Sequence, residues 1–294
     1  MSPRFFPAVP INGMSRLIIG SKPIDGGNYI FDAVERDAFL EAEPEAAPWF
    51  RPFIGAREYL QGRERWILAL HDAPPEVLAR LPRVRERIAA VRAYREASKS
   101  GPTQKLAATP TLYHINVIPT TPFLLVPRVS SEQRDYAPIG WLNPPIIPSD
   151  AALLLENATL VDFALLTSAM HMAWLRHIGG RLKSDYRYSI GLVYNTFPPP
   201  PKEADLSKLE PLAQTVLDAR AAHPGSTLAD LYDPDTMPPN LRKAHQALDR
   251  AVDRLYRRSG FASERERVEH LLMLYEGLRR PLGVGTGKKK GRRR

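Results

Sequence analysis

The chain has 294 residues, 44% hydrophobic and 25% charged, a composition that suits a folded protein of one or two domains of ~100–200 residues each. It contains no cysteine, which excludes a disulfide framework, a thiolate zinc site and a cysteine nucleophile. Net charge is +9, yet the terminal run from Lys288 to Arg294 holds six of those cations, so the body carries +3; that excess gathers between Arg80 and Lys105, where eight Lys or Arg meet only Glu86 and Glu96.

The opening residues, MSPRFFPAVPINGMSR, lack the apolar centre of a signal peptide. Residues 1 to about 32 read as an extended lead-in with a turn at Asp25-Gly26-Gly27. Asp32 can cap a helix over Val34–Glu43 that Pro44 ends. Arg65–Leu70 alternates like a strand. A helix from Pro82 to about Lys99 follows, with Val84, Ile88, Val91 and Tyr94 as its apolar stripe. Arg85 and Arg92 flank that stripe on one side and Arg83 and Arg87 on the other. Arg95 and Lys99 lie on its continuation, so the buried face should end near Tyr94. The flanking cations suit either a phosphate backbone or plain solvent.

Thr111–Val117, Phe123–Val126, Tyr136–Trp141 and Ala151–Leu155 read as short strands punctuated by prolines. Leu160–His177 has helical apolar spacing and ends at Gly179-Gly180. It contains Asp162 and His171, which argues for a buried helix and against a membrane span. Gly191–Phe197 reads as a last strand, and Pro198–Pro201 as a stiff linker. Helices are then expected over Leu206–Ala222, Leu241–Arg258 and Glu264–Arg279, with a turn at Thr227–Leu231 and a capping box of Ser263 and Glu266. Leu241, Leu248, Val252 and Leu255 should face Val268, Leu271, Leu272 and Tyr275 across an antiparallel hairpin. The fold class is therefore α+β: a mixed strand and helix domain over 1–198, a small α-helical domain over 199–281, and a disordered basic tail over 282–294.

Several motifs point to chemistry that their context does not support. Asn143-Pro144-Pro145-Ile146 resembles the loop with which amino-methyltransferases hold a flipped base, but Ile stands where an aromatic must stack. No glycine-rich loop after a strand precedes it to bind S-adenosylmethionine. The run GVGTGK, Gly283–Lys288, lacks the spacing and the following Ser or Thr of a phosphate loop. His171 and His177 are six residues apart, so they do not share a helix face, and no metal site is expected. Asp205, Asp230, Asp233 and Asp235 read as turn and cap residues.

The most informative stretch is GGRLKSDYRYSIGLVYNTFP, Gly179–Pro198. Arg181, Lys183 and Arg187 are interleaved there with Tyr186, Tyr188 and Tyr194, and Arg176 lies just upstream. Cations neutralise phosphates and tyrosines offer ring and hydroxyl to sugar or base edges. A solvated basic loop with its tyrosines on a core is the competing reading. This segment resembles the target-recognition domain of MmeI-like (type IIL) DNA methyltransferases and restriction–modification enzymes. The resemblance extends to SKPIDGGNYIF, RPFIGAREYLQGRERWIL, FLLVPRVSSEQRDYAPIGWL and TLADLYDPDTMPPNLRKAHQALDRAVDRLY, in the family's order over roughly residues 20 to 280.

The resemblance implies a module that reads a short duplex sequence so that a separate methyltransferase can methylate adenine N6 from S-adenosylmethionine. It implies no cofactor in this chain and no catalytic residue. The expected partners are double-stranded DNA and a methyltransferase polypeptide, with a nuclease possible in the parent system. The chain alone is expected to be inactive, as a split subunit or a truncated remnant, and its setting to be cytoplasmic without a membrane. Candidate DNA-binding residues are Arg128, Ser130, Ser131 and Arg134 in PRVSSEQRDY, then Arg181, Lys183, Tyr186 and Arg187, and Lys105. Gln104, His114 and Asn116 lie where base-reading side chains could vary. Two alternatives stand beside this reading: a small methyltransferase using the Asn143-Pro144-Pro145 loop, and a partner-docking module built on the helical hairpin.

Overall fold

A computed structural model describes residue 7 and residues 9–279. The expected tail and the GVGTGK run lie outside the described residues. In chain order the first part comprises β1 (Leu17–Ile19), β2 (Ile30–Phe31), α1 (Ala33–Ala42), β3 (Phe50–Ile54), α2 (Ala56–Gln61), β4 (Trp66–Leu68), α3 (Pro75–Leu78), α4 (Pro82–Glu96) and α5 (Gly101–Lys105). Asp32 caps α1 in a full capping box with Glu35, as its sequence position predicts. Strands β2, β4, β3 and β8 (Ile147–Pro148) form one sheet. Its core packs Tyr29, Phe31, Phe39, Phe50, Phe53 and Ile67 against Val84 and Val91 of α4.

Strands β5 (Phe123–Pro127), β6 (Val129–Ser130), β7 (Gly140–Leu142) and β9 (Ala152–Glu156) follow, and β1-β9-β5-β7 make a second, antiparallel sheet. Every residue of β5 is buried, so an uninterrupted apolar run appears where a one-sided strand would alternate. Next come α6 (Leu160–Thr167), α7 (Ala169–Ile178), β10 (Gly180–Leu182) and β11 (Asp185–Arg187), then α8 (Glu210–Ala221), α9 (Leu228–Leu231), α10 (Pro239–Tyr256) and α11 (Glu264–Arg279). A single apolar core joins Leu124, Val126 and Leu155 to Phe163, Trp174 and Phe197, and onward to Leu209, Val216, Leu248 and Leu271. It runs without a break across the proline linker.

Four elements differ from their sequence expectation, each for a physical reason. Leu160–His177 is two helices, because Ser168 is extended (φ −78°, ψ 159°) and its hydroxyl donates to the Leu165 carbonyl while accepting from His171 N–H. The Asp249 carboxylate of α10 satisfies the new N-terminus by accepting from Ala169 N–H at 2.7 Å. Ile190–Tyr194 is a π-helical turn instead of a strand, with Asn195 N–H donating to the Ile190 carbonyl. That turn buries Val193 and Tyr194 and brings the Val193 carbonyl to the Trp174 indole N–H.

Thr111–Val117 is irregular; only Ile115 bridges, to Lys22, while the Ser21 hydroxyl exchanges hydrogen bonds with the Val117 backbone. The fourth correction concerns the helical hairpin. α10 packs chiefly on α8 and α11 on α7. The two are tied at one end, where Arg267 donates to both Asp253 carboxylate oxygens. Asp205, Asp230 and Asp233 cap or close turns, as their spacing predicts.

Candidate nucleic-acid interface

Two sequence blocks separated by about fifty residues meet in a third, small sheet of order β10-β11-β6. Tyr186 pairs with Ser130 and Arg187 with Val129, while Arg181 pairs with Tyr186 across the β10–β11 hairpin. The PRVSSEQRDY and GRLKSDYRYS segments are thus one surface. Alternation sorts their side chains. Tyr186 and Ser130 are buried and carry the sheet. Arg187, Lys183, Arg181 and Ser184 are exposed.

The cations differ in what else holds them. Arg128 donates to the Asp150 carbonyl at 2.9 Å and is half-buried, which makes it a brace. Arg181 lies over the Tyr186 ring at 4.0 Å, donates to the Ser184 carbonyl at 3.1 Å and sits 3.9 Å from Glu132. Arg134 is half-buried; desolvation pulls its guanidinium below the usual value, and Asp185 and Asp233 draw it back up. Ser131 accepts from Gln133 N–H with its hydroxyl and from Arg134 N–H with its carbonyl, closing the turn after β6. Arg187 and Lys183 are the cations most open to a ligand.

That turn is held from below by the C-terminal helices. Arg176 donates to the Arg134 and Asp135 carbonyls and pairs with Glu264 of α11. Arg242 of α10 pairs with Asp135 at 3.1 Å. Tyr136 donates to Asp249 at 2.6 Å, and Arg220 of α8 donates to the Ile139 carbonyl at 2.7 Å and to the Tyr232 hydroxyl at 2.6 Å. His245 stacks on Tyr136 at 4.0 Å and shares a hydrogen bond with Tyr232. Burial raises the Asp249 carboxyl to about 6 and lowers His245 well below the usual imidazole value. None of Arg220, Tyr232, His245 or Asp249 carried a motif that marks this role; Arg220, His245 and Asp249 are ordinary polar residues on helices, and Tyr232 follows the short α9.

Lys105 is elsewhere, at the end of α5, and exposed. Gln104 donates to the Ser98 carbonyl, and His114 and Asn116 are exposed on the irregular segment. What fixes this region is Arg95, expected to leave the apolar face but in fact fully buried. Its Nε donates to the Ile24 carbonyl, Nη1 to Leu106 and Thr109, and Nη2 to Pro23 and Leu112, all within 2.9–3.0 Å. All five N–H groups are used, which only a guanidinium can do. Arg95 is therefore a staple between α4, the lead-in and the 106–112 segment. Arg83, Arg85 and Arg92 remain exposed along α4. Asn143 is exposed in the turn between β7 and β8, where its carbonyl accepts from Ile146 N–H.

Residues 7–201 match the family model described as MmeI, target recognition domain, and residues 201–282 the model described as MmeI, C-terminal domain. The chain belongs to the MmeI target-recognition family. DNA methyltransferase A of Bacillus subtilis (strain 168) is 40% identical over 268 residues, covering 91% of this chain and 30% of its own length. A solved structure of the type IIL restriction–modification enzyme MmeI in complex with DNA superposes with a TM-score of 0.89 at 39% identity, covering 93% of this chain and 37% of that one. The chain thus spans about a third of the length of these two relatives. Among the described residues no helix is long and apolar enough to cross a membrane.

Proposed function

We propose that this chain binds duplex DNA at a specific short sequence and directs an adenine-N6 methyltransferase to it, within a restriction–modification or phage-defence system. The observation that carries the proposal is the β10-β11-β6 sheet. It brings Arg181, Lys183, Arg187 and the 128–134 turn together in one braced ribbon, Arg181 on one face and Arg187 on the other with Lys183 at the tip, in a chain of the MmeI target-recognition family. Arg187 and Lys183 supply phosphate contacts. Arg181, Ser131 and Arg134 flank them, and Arg128, Ser130 and Tyr186 hold the frame. Lys105 and Gln104 on α5, and His114 and Asn116 on the irregular 111–117 segment, are exposed side chains by the other core that would meet DNA there.

In this reading S-adenosylmethionine binds to a methyltransferase region outside these 294 residues, in the simplest case a separate polypeptide. The test has two arms. The purified chain should select a defined duplex from a random library and bind it with an affinity that falls steeply as salt rises; failure to enrich any sequence would refute the recognition role. Labelled methyl transfer should require added methyltransferase polypeptide, and transfer by this chain alone would overturn that assignment in favour of the Asn143 loop.

A further inference from the structure

We propose that Leu182 is a wedge that enters between stacked base pairs of the bound duplex, while the cations around it hold the phosphates. The proposal rests on the DNA-recognition reading and adds to it a distortion of the DNA at one base step. Leu182 is the last residue of β10, paired with Asp185, and only Lys183 and Ser184 separate the two strands. Lys183 adopts a left-handed φ of 56°, which closes the turn in two residues and sets Leu182 in the last strand pair, directly beside the apex of the hairpin.

A single exposed leucine usually needs no explanation. This one differs in three respects. It is 53% exposed at the tip of a strand whose three residues all face solvent. It lies among Arg181, Lys183 and Arg187, where an apolar side chain gains nothing from neighbouring cations or water. And the tip is rigid, because Arg181 stacks on the buried Tyr186 ring and donates to the Ser184 carbonyl across the turn. Strand alternation places Leu182 on the face opposite Arg181, the same face as Arg187. Gly180, opposite Arg187, adds no side chain to that face, and the space a Cβ would enter there is open. A stiff two-stranded ribbon with one apolar residue at its end and cations behind it has the parts that pry base steps open: charge to seat the backbone, and an aliphatic wedge to replace lost stacking.

The experiment uses the full chain and the duplex it selects from the random library, with 2-aminopurine placed at each position in turn. Wild-type protein should brighten 2-aminopurine at one base step, reporting unstacking. Leu182→Met should retain that signal. Leu182→Ala should lose it at saturating protein and bind the duplex about tenfold more weakly, the scale of removing one buried aliphatic side chain. Brightening that survives in Leu182→Ala, or no brightening at any position with wild type, overturns the wedge while leaving DNA recognition standing. A wild-type chain that selects no duplex overturns the recognition proposal and the wedge together.

Discussion

Replacing Arg95 by lysine isolates the staple that holds the 106–112 segment. The guanidinium donates five hydrogen bonds to five carbonyls from two stretches of chain, Pro23–Ile24 and Leu106–Leu112. An ammonium has three N–H groups on one atom, so at least two carbonyls lose their donor. A hydrogen bond from a charged group contributes ~1.5–3 kcal/mol net, which sets the loss at about 3–6 kcal/mol if nothing replaces those two. Arg95 is buried, but four of the five acceptor residues are partly exposed, so water can reach some of the freed carbonyls, which brings the expectation to about 2–4 kcal/mol. Equilibrium urea unfolding of Arg95→Lys should show that loss, and amide exchange over residues 106–117 should accelerate more than in the β5–β9 sheet. The control is Arg92→Lys, on the exposed side of the same helix, with a change within ~0.5 kcal/mol. A loss below about 1 kcal/mol for Arg95→Lys, or unchanged exchange over 106–117, would show that the carbonyls do not depend on it.

Arg187→Ala should weaken binding to all duplexes alike and lower the slope of log affinity against log salt by about 1, measured by titration across salt; a change confined to one sequence would make it a base reader instead. Burial raises Asp249 to about 6, above its unfolded value near 4, so the folded state holds that proton more tightly. The stability this contributes is present below pH 4 and lost as pH rises through 6. Asp249→Asn should therefore gain on wild type by up to about 3 kcal/mol between pH 4 and 7 in urea titrations, and a constant offset would contradict the argument. His171 has the opposite sign: it is buried against the Tyr188 hydroxyl and held neutral down to about 3. Its unfolded form takes up a proton below about 6.5, so stability falls with acid by about 3 kcal/mol at pH 4.5. His171→Gln should flatten that acid limb in melting curves; an unchanged limb would assign it to other groups.

The C-terminal helices bear on how the recognition surface is kept in place. Arg176–Glu264, Arg242–Asp135, Tyr136–Asp249 and Arg220 on Ile139 hold the stretch from the turn after β6 to the start of β7. Removing residues 199–294 would strip Leu209, Val216, Leu248 and Leu271 from the core they share with Trp174 and Phe197. A docking hairpin that could be deleted without touching the DNA-facing side is not what this packing describes.

Much of this molecule was legible in its residues because local rules decided it. Asp32 before Glu35, the apolar run of β5, the turn aspartates and the five-block resemblance each depend on neighbours in sequence or on a pattern that survives without contacts. Ser168 breaking a long apolar helix, the π-turn at Ile190–Tyr194 and the irregular 111–117 segment were not legible, because each is settled by a partner far along the chain: Asp249, Trp174, and Ser21 with Arg95. The same division governs the candidate interface. Sequence names its cations, since Arg and Lys carry their charge anywhere. Which of them remain available to DNA is a matter of tertiary contacts: Arg95 and Arg128 turn inward because unpaired backbone carbonyls lie within reach, and Arg187 stays free because strand alternation sends it out.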